Sequence, residues 1–589
     1  MLMKKIMFFF TAAVLLLTAG QVSAQNILVT GTISDASNGE PVPYASIQVK
    51  GTMTGASADA DGNYEVTVSP QGTLIFSFVG YETKEIKVDG RLHINCELKV
   101  DATALDDVIV VAYGTVSREA NTGAVSTLKS EGLAESPATS VDKMLSGKMA
   151  GVQITSGSGQ PGSTSTIRIR GTSSINAGSE PLWVIDGIPV APGDFRQFSN
   201  AGVGGGSSTT FLNPNDIESI TILKDAAAAS VYGSRAANGV ILVTTKTGKK
   251  GASKFTARAK YGVQQLINDR NIHPLTGSEL IDYRRTAAIN AGFNTDDPSS
   301  QYYFTEKLLS NGTTDWYKEL TRQGSVQEYE VNASGGTEKA SYYSSIAYHK
   351  NTGVFYGVDY SRFTARVNAD MQLTRTLKSG VRVNFSYGDS NSGQMGDLYY
   401  SNPTVAMWTI NPWTPFRNDD GSYNTSIPES SNTNPRAVAE YDTYNDKEYR
   451  AQANLYLEWK PIPQLTLKTT DGFEADILDS KQYWDPRSNK GASTLFKIWS
   501  KDLRYTTSNT ITYADKYAGA HDLRITVGQE AMLDTYDYLY GYSPDVDPMM
   551  PYPNTSTAEK DEVQYGISDE SMLSFFGIAD YNYMNRYFF

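Results

Sequence analysis

The chain is poor in the residues that build metal sites and disulfide frameworks. Cys96 is the only cysteine among 589 residues, so a single chain can hold neither a disulfide framework nor a cysteine-rich metal site. The four histidines are widely scattered, and no pair has the spacing of metal ligands. They are His93, His273, His349 and His521. The sequence therefore predicts no cofactor and no metal site built on cysteine or histidine.

Basic residues and long apolar runs are also scarce. The 51 Lys and Arg residues are outnumbered by 64 Asp and Glu residues, so nucleic acid is not an expected partner. Beyond the N-terminus, no apolar run is long enough for a transmembrane helix. A membrane location would therefore require a closed β-barrel. Apart from a transmembrane helix, only a closed barrel hydrogen-bonds every backbone polar group within lipid.

Motifs of the common enzyme classes are missing as well. The sequence has no P-loop, no G-x-S-x-G elbow and no histidine near a candidate nucleophile. The chain is therefore not predicted to be an enzyme.

Residues 1–24 predict a secretory signal peptide. Lys4 and Lys5 precede an apolar run, residues 6–17, that is too short to span a bilayer. Small residues at positions 22–24 then favour cleavage before Gln25. Since Gln25 is not a cysteine, we expect an exported protein without a lipid anchor.

The remaining chain divides into segments of different character. Abundant tyrosine (37) and glycine (50) favour pleated, turn-rich β-structure. Residues 25–100 contain short apolar runs separated by turn residues, the pattern of a small β-sandwich. Residues 101–115 form a linker, and residues 116–250 mix strands with short helices. The sequence thus predicts a sandwich followed by an α/β domain.

One turn of the sandwich invites a second interpretation. Residues 59–63, DADGN, resemble the start of a calcium loop, but the third acidic ligand and the distal glutamate are missing. A hairpin turn built on Asp61 and Gly62 explains the stretch better. Calcium binding by Asp59 and Asp61 stays open at this point.

Residues 251–589 alternate between apolar and polar residues over long runs. Residues 363–373, FTARVNADMQL, and 449–459, YRAQANLYLEW, each place apolar side chains on one face. Soluble strands are usually about five or six residues long. Runs of about ten, with aromatics near their ends and short turns alternating with long loops, are typical of an outer-membrane barrel. A large secreted β-protein is the alternative.

The ordered set of segments resembles the SusC/RagA family of TonB-dependent outer-membrane transporters. Residues 29–35, 61–64 and 76–81 resemble the family's carboxypeptidase-regulatory-like extension, residues 106–114 (DDVIVVAYG) its TonB box, and residues 167–171, 181–187 and 223–248 its plug. The resemblance implies a mainly β chain, with a sandwich (25–100), a TonB-box linker (101–115), a mixed α/β plug (116–250) and part of an antiparallel transmembrane barrel (251–589). The family's barrels have 22 strands. Since residues 251–589 contain only about ten, we expect a C-terminally truncated sequence.

The resemblance also implies partners and a function. We expect TonB-dependent import of oligosaccharides or peptides across the bacterial outer membrane, with TonB energised by ExbB and ExbD and a SusD-like surface lipoprotein as partner. Outer-membrane lipid would surround the barrel. Alternatives are a siderophore or cobalamin receptor, and a secreted glycan-binding protein. The substrate cannot be named from the sequence.

The residues expected to bind TonB form the linker stretch. They are Asp106, Asp107, Val108, Ile109, Val110, Val111, Ala112, Tyr113 and Gly114. A partner can add such an extended segment to its own sheet through main-chain hydrogen bonds. The two carboxylates would keep the free segment soluble. From the run alone, a core strand of the sandwich or the plug is the commoner explanation.

Two further groups of residues are candidates for functional contacts. Arg168 and Arg170 share a strand face and could pair with carboxylates of the barrel wall, unless that face is simply solvated. Trp408, Trp413 and Phe416 lie in an aromatic loop that suits sugar rings or peptides. An interfacial aromatic girdle or packing within the loop would explain them equally well.

Overall fold

The computed structural model describes most of the chain after the N-terminus. The described residues are 26–36, 41–42, 45–52, 54–59, 61–78, 81–99, 108–111, 114–117, 123–130, 140–156, 158–163, 165–174, 178–190, 209–225, 229–267, 274–305, 308, 310–393, 402–430, 433–517, 521–557, 561–584 and 587–588. The predicted signal peptide, residues 1–24, lies outside them. The chain divides into two compact units, Met1–Ile109 and Val110–Phe589.

The first unit is the predicted β-sandwich. One sheet has the strand order β4-β1-β7 and the other β3-β2-β5-β6. The strands are β1 (Ile27–Asp35), β2 (Ser46–Val49), β3 (Gly55–Ser57), β4 (Asn63–Val68), β5 (Thr73–Ser77), β6 (Lys84–Lys87) and β7 (Cys96–Leu98). Alternating side chains such as Val29, Ile33, Leu74 and Phe76 are fully buried and form its core.

The DADGN stretch forms a turn of this sandwich. Gly62 has a φ of 76°, a conformation that favours glycine. The Asp59 carboxylate accepts hydrogen bonds from the backbone N–H groups of Asp61 (2.9 Å) and Asn63 (2.8 Å). These bonds, led by that from Asn63, hold the pKa of Asp59 below its usual value. The described residues contain no group of three or more His, Cys, Asp or Glu side chains that could hold a metal ion. The turn alone thus accounts for the stretch.

The predicted TonB box contributes a strand. Strand β8 (Val108–Val111) pairs with β9 (Gly114–Ser117) in a two-stranded sheet. Asp106, Asp107, Ala112 and Tyr113 lie outside the described residues.

The α/β domain of the second unit is built on one mixed sheet. Its strand order is β10-β15-β16-β13-β14. The strands are β10 (Val125–Lys129), β13 (Leu182–Ile185), β14 (Ile188–Pro189), β15 (Ile217–Leu223) and β16 (Val240–Thr245), and β11 (Val152–Ser156) pairs separately with β12 (Ser165–Ile169). Helix α1 spans Val141–Leu145, and 3₁₀ turns span Pro214–Asp216 and Ser230–Ala236. Buried side chains such as Ile220, Ile222 and Ile241 form its core.

The rest of the second unit is a wall of ten long antiparallel strands, among the described residues. They are β17 (Gly251–Gln264), β18 (Gly324–Gly336), β19 (Ala340–Thr352), β20 (Asp359–Gln372), β21 (Leu377–Asn391), β22 (Thr443–Ile462), β23 (Leu465–Trp484), β24 (Thr494–Tyr517), β25 (His521–Pro544) and β26 (Glu562–Tyr583), followed by the short β27 (Tyr587–Phe588). They are 13 to 24 residues long, well beyond an ordinary soluble strand. The predicted count of about ten strands is confirmed.

Long loops lie at one end of the wall and short turns at the other. The loops 265–323 and 392–442 contain α2 (Gly277–Asn290), α3 (Trp316–Leu320), α4 (Pro403–Thr409) and α5 (Pro435–Tyr441). The opposite end has turns such as residues 337–339 and 463–464. In outer-membrane barrels the short turns are periplasmic and the long loops extracellular.

The wall has an inverted polarity. Its buried face, towards the α/β domain, carries polar side chains, whereas its outer face exposes large apolar ones. The buried set includes Glu330, Arg362, Arg366, Asn384, Arg450, Gln452, Glu474 and Glu530, and the exposed set includes Val331, Ile346, Val367, Phe385, Leu455, Phe473 and Val527. A water-soluble protein buries the second set and exposes the first.

Aromatic side chains border the exposed apolar band. Cross-strand partners form a continuous row on five neighbouring strands: Tyr329, Tyr348, Phe363, Tyr387 and Tyr449. Trp459 lies ten residues further along β22 than Tyr449, about 33 Å along a strand. At a tilt of about 40° this spans about 25 Å, the height of the apolar band of an outer-membrane barrel. No helix among the described residues is long and apolar enough to cross a bilayer.

Candidate functional site: the α/β domain against the wall

The centre of the interface is a buried arginine of the wall. Arg366 on β20 points inward, and its guanidinium lies 3.6 Å from a carboxylate oxygen of Asp186 and 3.6 Å from one of Asp216. Asp186 occupies the turn between β13 and β14 with a φ of 49°, and Asp216 ends a 3₁₀ turn. One wall cation therefore bridges two carboxylates of the α/β domain in a site shielded from water.

Neutral hydrogen bonds fix these carboxylates in place. Asp186 accepts from the Thr245 backbone N–H (2.9 Å) and hydroxyl (2.7 Å), and the Tyr343 hydroxyl donates to Asp216 (2.8 Å). The Asn368 amide on the wall donates to the Thr245 hydroxyl (2.9 Å). Asp186 is thus oriented within its own domain, whereas Asp216 is held by Tyr343 of the wall, and both acids are fixed in position beside Arg366.

A short segment before β15, residues 209–216, carries further wall contacts, and we call it the latch segment. Arg362 donates to the carbonyl of Thr210, and the guanidinium of Arg450 lies 4.1 Å from the ring centre of Phe211. Glu474 and Asp476 on the neighbouring strand hold Arg450 in turn. Three inward arginines of the wall, counting Arg366, therefore converge on one stretch of eight residues.

A second ion pair joins the two parts elsewhere. Arg235 of the α/β domain pairs with Glu530 of β25, and its guanidinium also lies 3.6 Å from the sulfur of Met532. At Gly472 of β23 a Cβ would approach the Ile188 side chain within 2.8 Å, so glycine permits the close approach of the wall there. The interface is therefore close-fitting but largely polar. Such an interface separates more readily than an apolar core, because water can replace its contacts once it opens.

The predicted plug arginines lie elsewhere. Arg168 is half-buried in β12, and Arg170 is exposed just after that strand with a φ of 60°. Burial raises the pKa of Glu180, and the charge of Arg168, in the same domain, partly offsets this. Neither arginine forms an ion pair with a wall carboxylate within the described residues. Their pairing with the wall stays a prediction, while Arg235 makes a contact of that kind.

The predicted aromatic residues lie in packed loops at the long-loop end. Trp413 is 6% exposed and packs edge-on against Phe304 at 5.9 Å, with Arg284 4.9 Å from its ring centre. Phe416 packs against Trp316 at 5.7 Å. Packing within the loops thus accounts for Trp413 and Phe416. Trp408 remains 48% exposed, and its contact with substrate stays a prediction.

An acidic side chain anchors two of these loops to each other. The Asp442 carboxylate, just before β22, accepts hydrogen bonds from the Asp485 backbone N–H (2.9 Å) and the Ser488 hydroxyl. Burial raises the pKa of Asp442 to about 7, with the nearby charge of Asp485 adding to the rise and the two hydrogen bonds opposing it. The ionised form is therefore disfavoured in the folded protein.

This carboxyl predicts a pH dependence of stability. The folded protein binds a proton at Asp442 that the unfolded chain, with an aspartate pKa of about 3.9, releases. Stability is therefore expected to fall as pH rises from about 4 to about 7 and to stay level above that. Asp442→Asn keeps the acceptor oxygen and should flatten this slope in thermal unfolding measured in detergent at pH 5 and pH 8.

Asp420 provides the matched control for that measurement. It lies in the same loop, and hydrogen bonds from the Ser422 hydroxyl and backbone lower its pKa. Asp420→Asn should therefore leave the slope between pH 5 and pH 8 unchanged. An unchanged slope in the Asp442 variant instead would contradict the assignment.

Two family models match the chain. Residues 29–110 match a CarboxypepD_reg-like domain, and residues 117–240 match the TonB-dependent receptor plug domain. Over 100% of this chain, it is 32% identical to the TonB-dependent receptor SusC of Bacteroides thetaiotaomicron. The chain belongs to the SusC/RagA type of TonB-dependent receptors.

Other relatives agree with this placement. The TonB-dependent receptor P26 of Formosa agariphila is 32% identical over 95% of the chain. The structure of the RagAB peptide importer in its open-open state superposes with a TM-score of 0.71, at 24% identity, over 81% of this chain and 55% of that chain. The likeness to RagAB shows the fold alone.

The SusC/RagA-type chain is shorter than these relatives. It spans 58% of SusC and 55% of P26. The family consists of outer-membrane β-barrel receptors and is not enzymatic, so the predictions of location and of a non-enzyme are confirmed. In its terms, the α/β domain is the plug and β17–β26 belong to the barrel wall.

Proposed function

We propose that this chain serves TonB-dependent active import across the bacterial outer membrane. The observation that carries the proposal is a polar, ion-paired plug held inside an inverted-polarity wall. A wide barrel without a plug would leak, whereas a permanently sealed one could not import. The Arg366 and Arg235 pairs stabilise the plug while they are shielded and weaken once water enters.

The segment through which TonB would pull on the plug is the stretch from Asp106 to Gly114. TonB would add it as a strand to its own sheet through main-chain hydrogen bonds. Competition with the pairing of β8 and β9 costs little, because an isolated two-stranded sheet is marginally stable. Force applied there reaches the plug sheet first at β10, one of its two edge strands.

The cargo we propose is an oligosaccharide or a peptide, with a SusD-like surface lipoprotein as partner. Support comes from the long-loop end, where Trp408 and Tyr283 expose aromatic faces beside polar loops. RagAB, a peptide importer, shares the fold, and that likeness does not extend to the cargo. A neighbouring gene for a SusD-like protein together with glycosidases would indicate glycan, and one together with peptidases would indicate peptide.

A siderophore or cobalamin receptor without a surface partner is the second candidate. Arg168 and Arg170 remain candidates for plug–wall contacts that loosen during opening in either case. Iron-regulated expression would favour the siderophore receptor.

Proline substitution in β8 tests the import mechanism. Val108→Pro with Val110→Pro removes two backbone donors and should reduce uptake to the level of a strain without TonB. Val108→Ala with Val110→Ala keeps both donors and should retain most of the uptake. Membrane insertion, measured by heat-modifiable gel migration, should be unchanged in both. Normal uptake by the proline variant would exclude this mechanism.

A further inference from the structure

Residues 545–557 form most of the loop between β25 and β26, and they cover the outward side of the wall. Outward positions on β23 and β24 are odd-numbered, as the exposed Phe473 and Trp499 show. Tyr483 and Leu495 occupy the same parity near the long-loop ends of those strands and are buried together with Val546. The loop therefore lies over the outer face above the apolar band, away from the plug.

The loop exposes large apolar side chains, and hydrogen bonds hold its backbone. Met549 is 91% exposed, Met550 55% and Tyr552 60%. Backbone groups hold this presentation, because Asp547 accepts from the Met549 N–H (2.9 Å) and Thr555 donates to the Met550 carbonyl (2.8 Å). Three large apolar side chains fixed in an exposed position predict a contact surface.

Cations lie beside this surface. The ammonium group of Lys481 is 5.6 Å from the Tyr552 ring centre, and Lys481 has no carboxylate partner within the described residues. Lys497, its cross-strand neighbour, pairs with Asp479. Lys481 also pairs across strands with Asn445, four residues beyond Tyr449 of the aromatic row. Four residues along a strand tilted by about 40° place Lys481 about 10 Å above the aromatic row, on the long-loop side.

We propose that residues 545–557 and Lys481 form a docking surface for the outer leaflet of the membrane. The surface continues the apolar band outward, and the long side chain of Lys481, about 10 Å above the aromatic row, reaches back towards the polar headgroup layer, which extends about 5–8 Å beyond the hydrocarbon core. Met549, Met550 and Tyr552 contact the lipid interface, where flexible thioethers and tyrosine are favourable. Lys481 binds a phosphate of an anionic lipid headgroup. The inference depends on the membrane orientation of the barrel and is independent of import and of TonB.

A fluorescent label on the loop tests the contact with lipid. Met549→Cys carries an environment-sensitive maleimide dye, and the chain is placed in nanodiscs of phosphatidylcholine with monophosphoryl lipid A. Burial raises the pKa of the Cys96 thiol to about 11, so Cys96 does not compete for the dye at neutral pH. We expect blue-shifted emission that lipid-borne nitroxide quenches. Asp419→Cys, exposed in another loop of the same end, should be quenched by aqueous iodide alone.

The opposite result would overturn the proposal. A dye at position 549 that behaves like the control has no lipid contact, whether the loop is folded or not. Emission that shifts only when a SusD-like protein is added would assign the surface to a protein partner. The side chain of Met549 makes no hydrogen bond, and Met550→Cys provides a second labelling site should the first variant fold poorly.

The lysine is tested separately by the retention of lipid. Lys481→Gln should lower the affinity for monophosphoryl lipid A in mixed micelles about fivefold. Lys490→Gln makes the same charge change on a neighbouring exposed loop and should have no effect. Equal affinity of both variants, or equal competition by inorganic phosphate, would exclude a headgroup site at Lys481.

Discussion

Replacing Arg366 with methionine is expected to destabilise the seated plug by about 3–5 kcal/mol. The substitution leaves the carboxylates of Asp186 and Asp216 buried beside the wall without their cation. Their remaining hydrogen bonds, from Thr245 and Tyr343, do not neutralise the two charges. The plug should then loosen around β13 and the latch segment, while the wall keeps its strands.

Hydrogen exchange in detergent micelles measures this loosening directly. Amides of β13 and β16 should lose protection in the Arg366→Met variant. Adding Asp186→Asn and Asp216→Asn to it should restore much of the loss, because the buried charges are then gone. Lys249→Met removes an exposed cation whose pair with Glu218, at 3.7 Å, lies at the surface, and it should leave the protection unchanged. Equal loss in both single variants would show that Arg366 has no special role.

The contacts of Arg366 illustrate what could be predicted from the sequence and what could not. Strict alternation places Arg366 on the polar face of its strand, and the structure confirms that face. Alternation does not say whether a polar face meets water or another domain. The partners of Arg366 lie 180 and 150 residues earlier in the chain, at Asp186 and Asp216, and a single sequence carries no signal for so distant a pair. From the sequence, the Asp186-Gly187 pair predicts a turn and nothing about its partner.

The choice of plug arginine shows the same limit. Arg168 and Arg170, within residues 167–171, are candidates because they share a strand face that could meet carboxylates of the wall. Arg235, which pairs with Glu530, lies in an irregular 3₁₀ segment. Side chains there follow no regular period, so the sequence does not predict their direction. In strands with a regular period, the sequence thus predicts which side chains share a face. In turns and irregular segments, it predicts only that a turn occurs.

The aromatic loop was ambiguous for a different reason. Trp413 and Phe416 suit both a ligand surface and a small core, and the composition of the loop is the same in either case. Their partners, Phe304 and Trp316, belong to another loop. Only the packing between the two loops distinguishes the alternatives.

Placing an arginine at Ala453 should oppose insertion by about 2–4 kcal/mol, the cost of a cation near the midplane of a barrel's lipid face. Ala453 lies near the middle of the stretch between Tyr449 and Trp459 on the outer face of β22, flanked by the exposed Val383 and Phe473 of the neighbouring strands. Urea titration of folding into liposomes measures the cost, with heat-modifiable gel migration marking the folded form. Ala453→Leu adds bulk without charge at the same place and should insert as well as the parent.

A secreted β-protein, the alternative that alternation alone leaves open, would have this face in water, where arginine is at least as well tolerated as leucine. The sign of the difference between the two variants therefore tests the inverted polarity itself: a more stable arginine variant would mean that the exposed apolar face does not meet lipid.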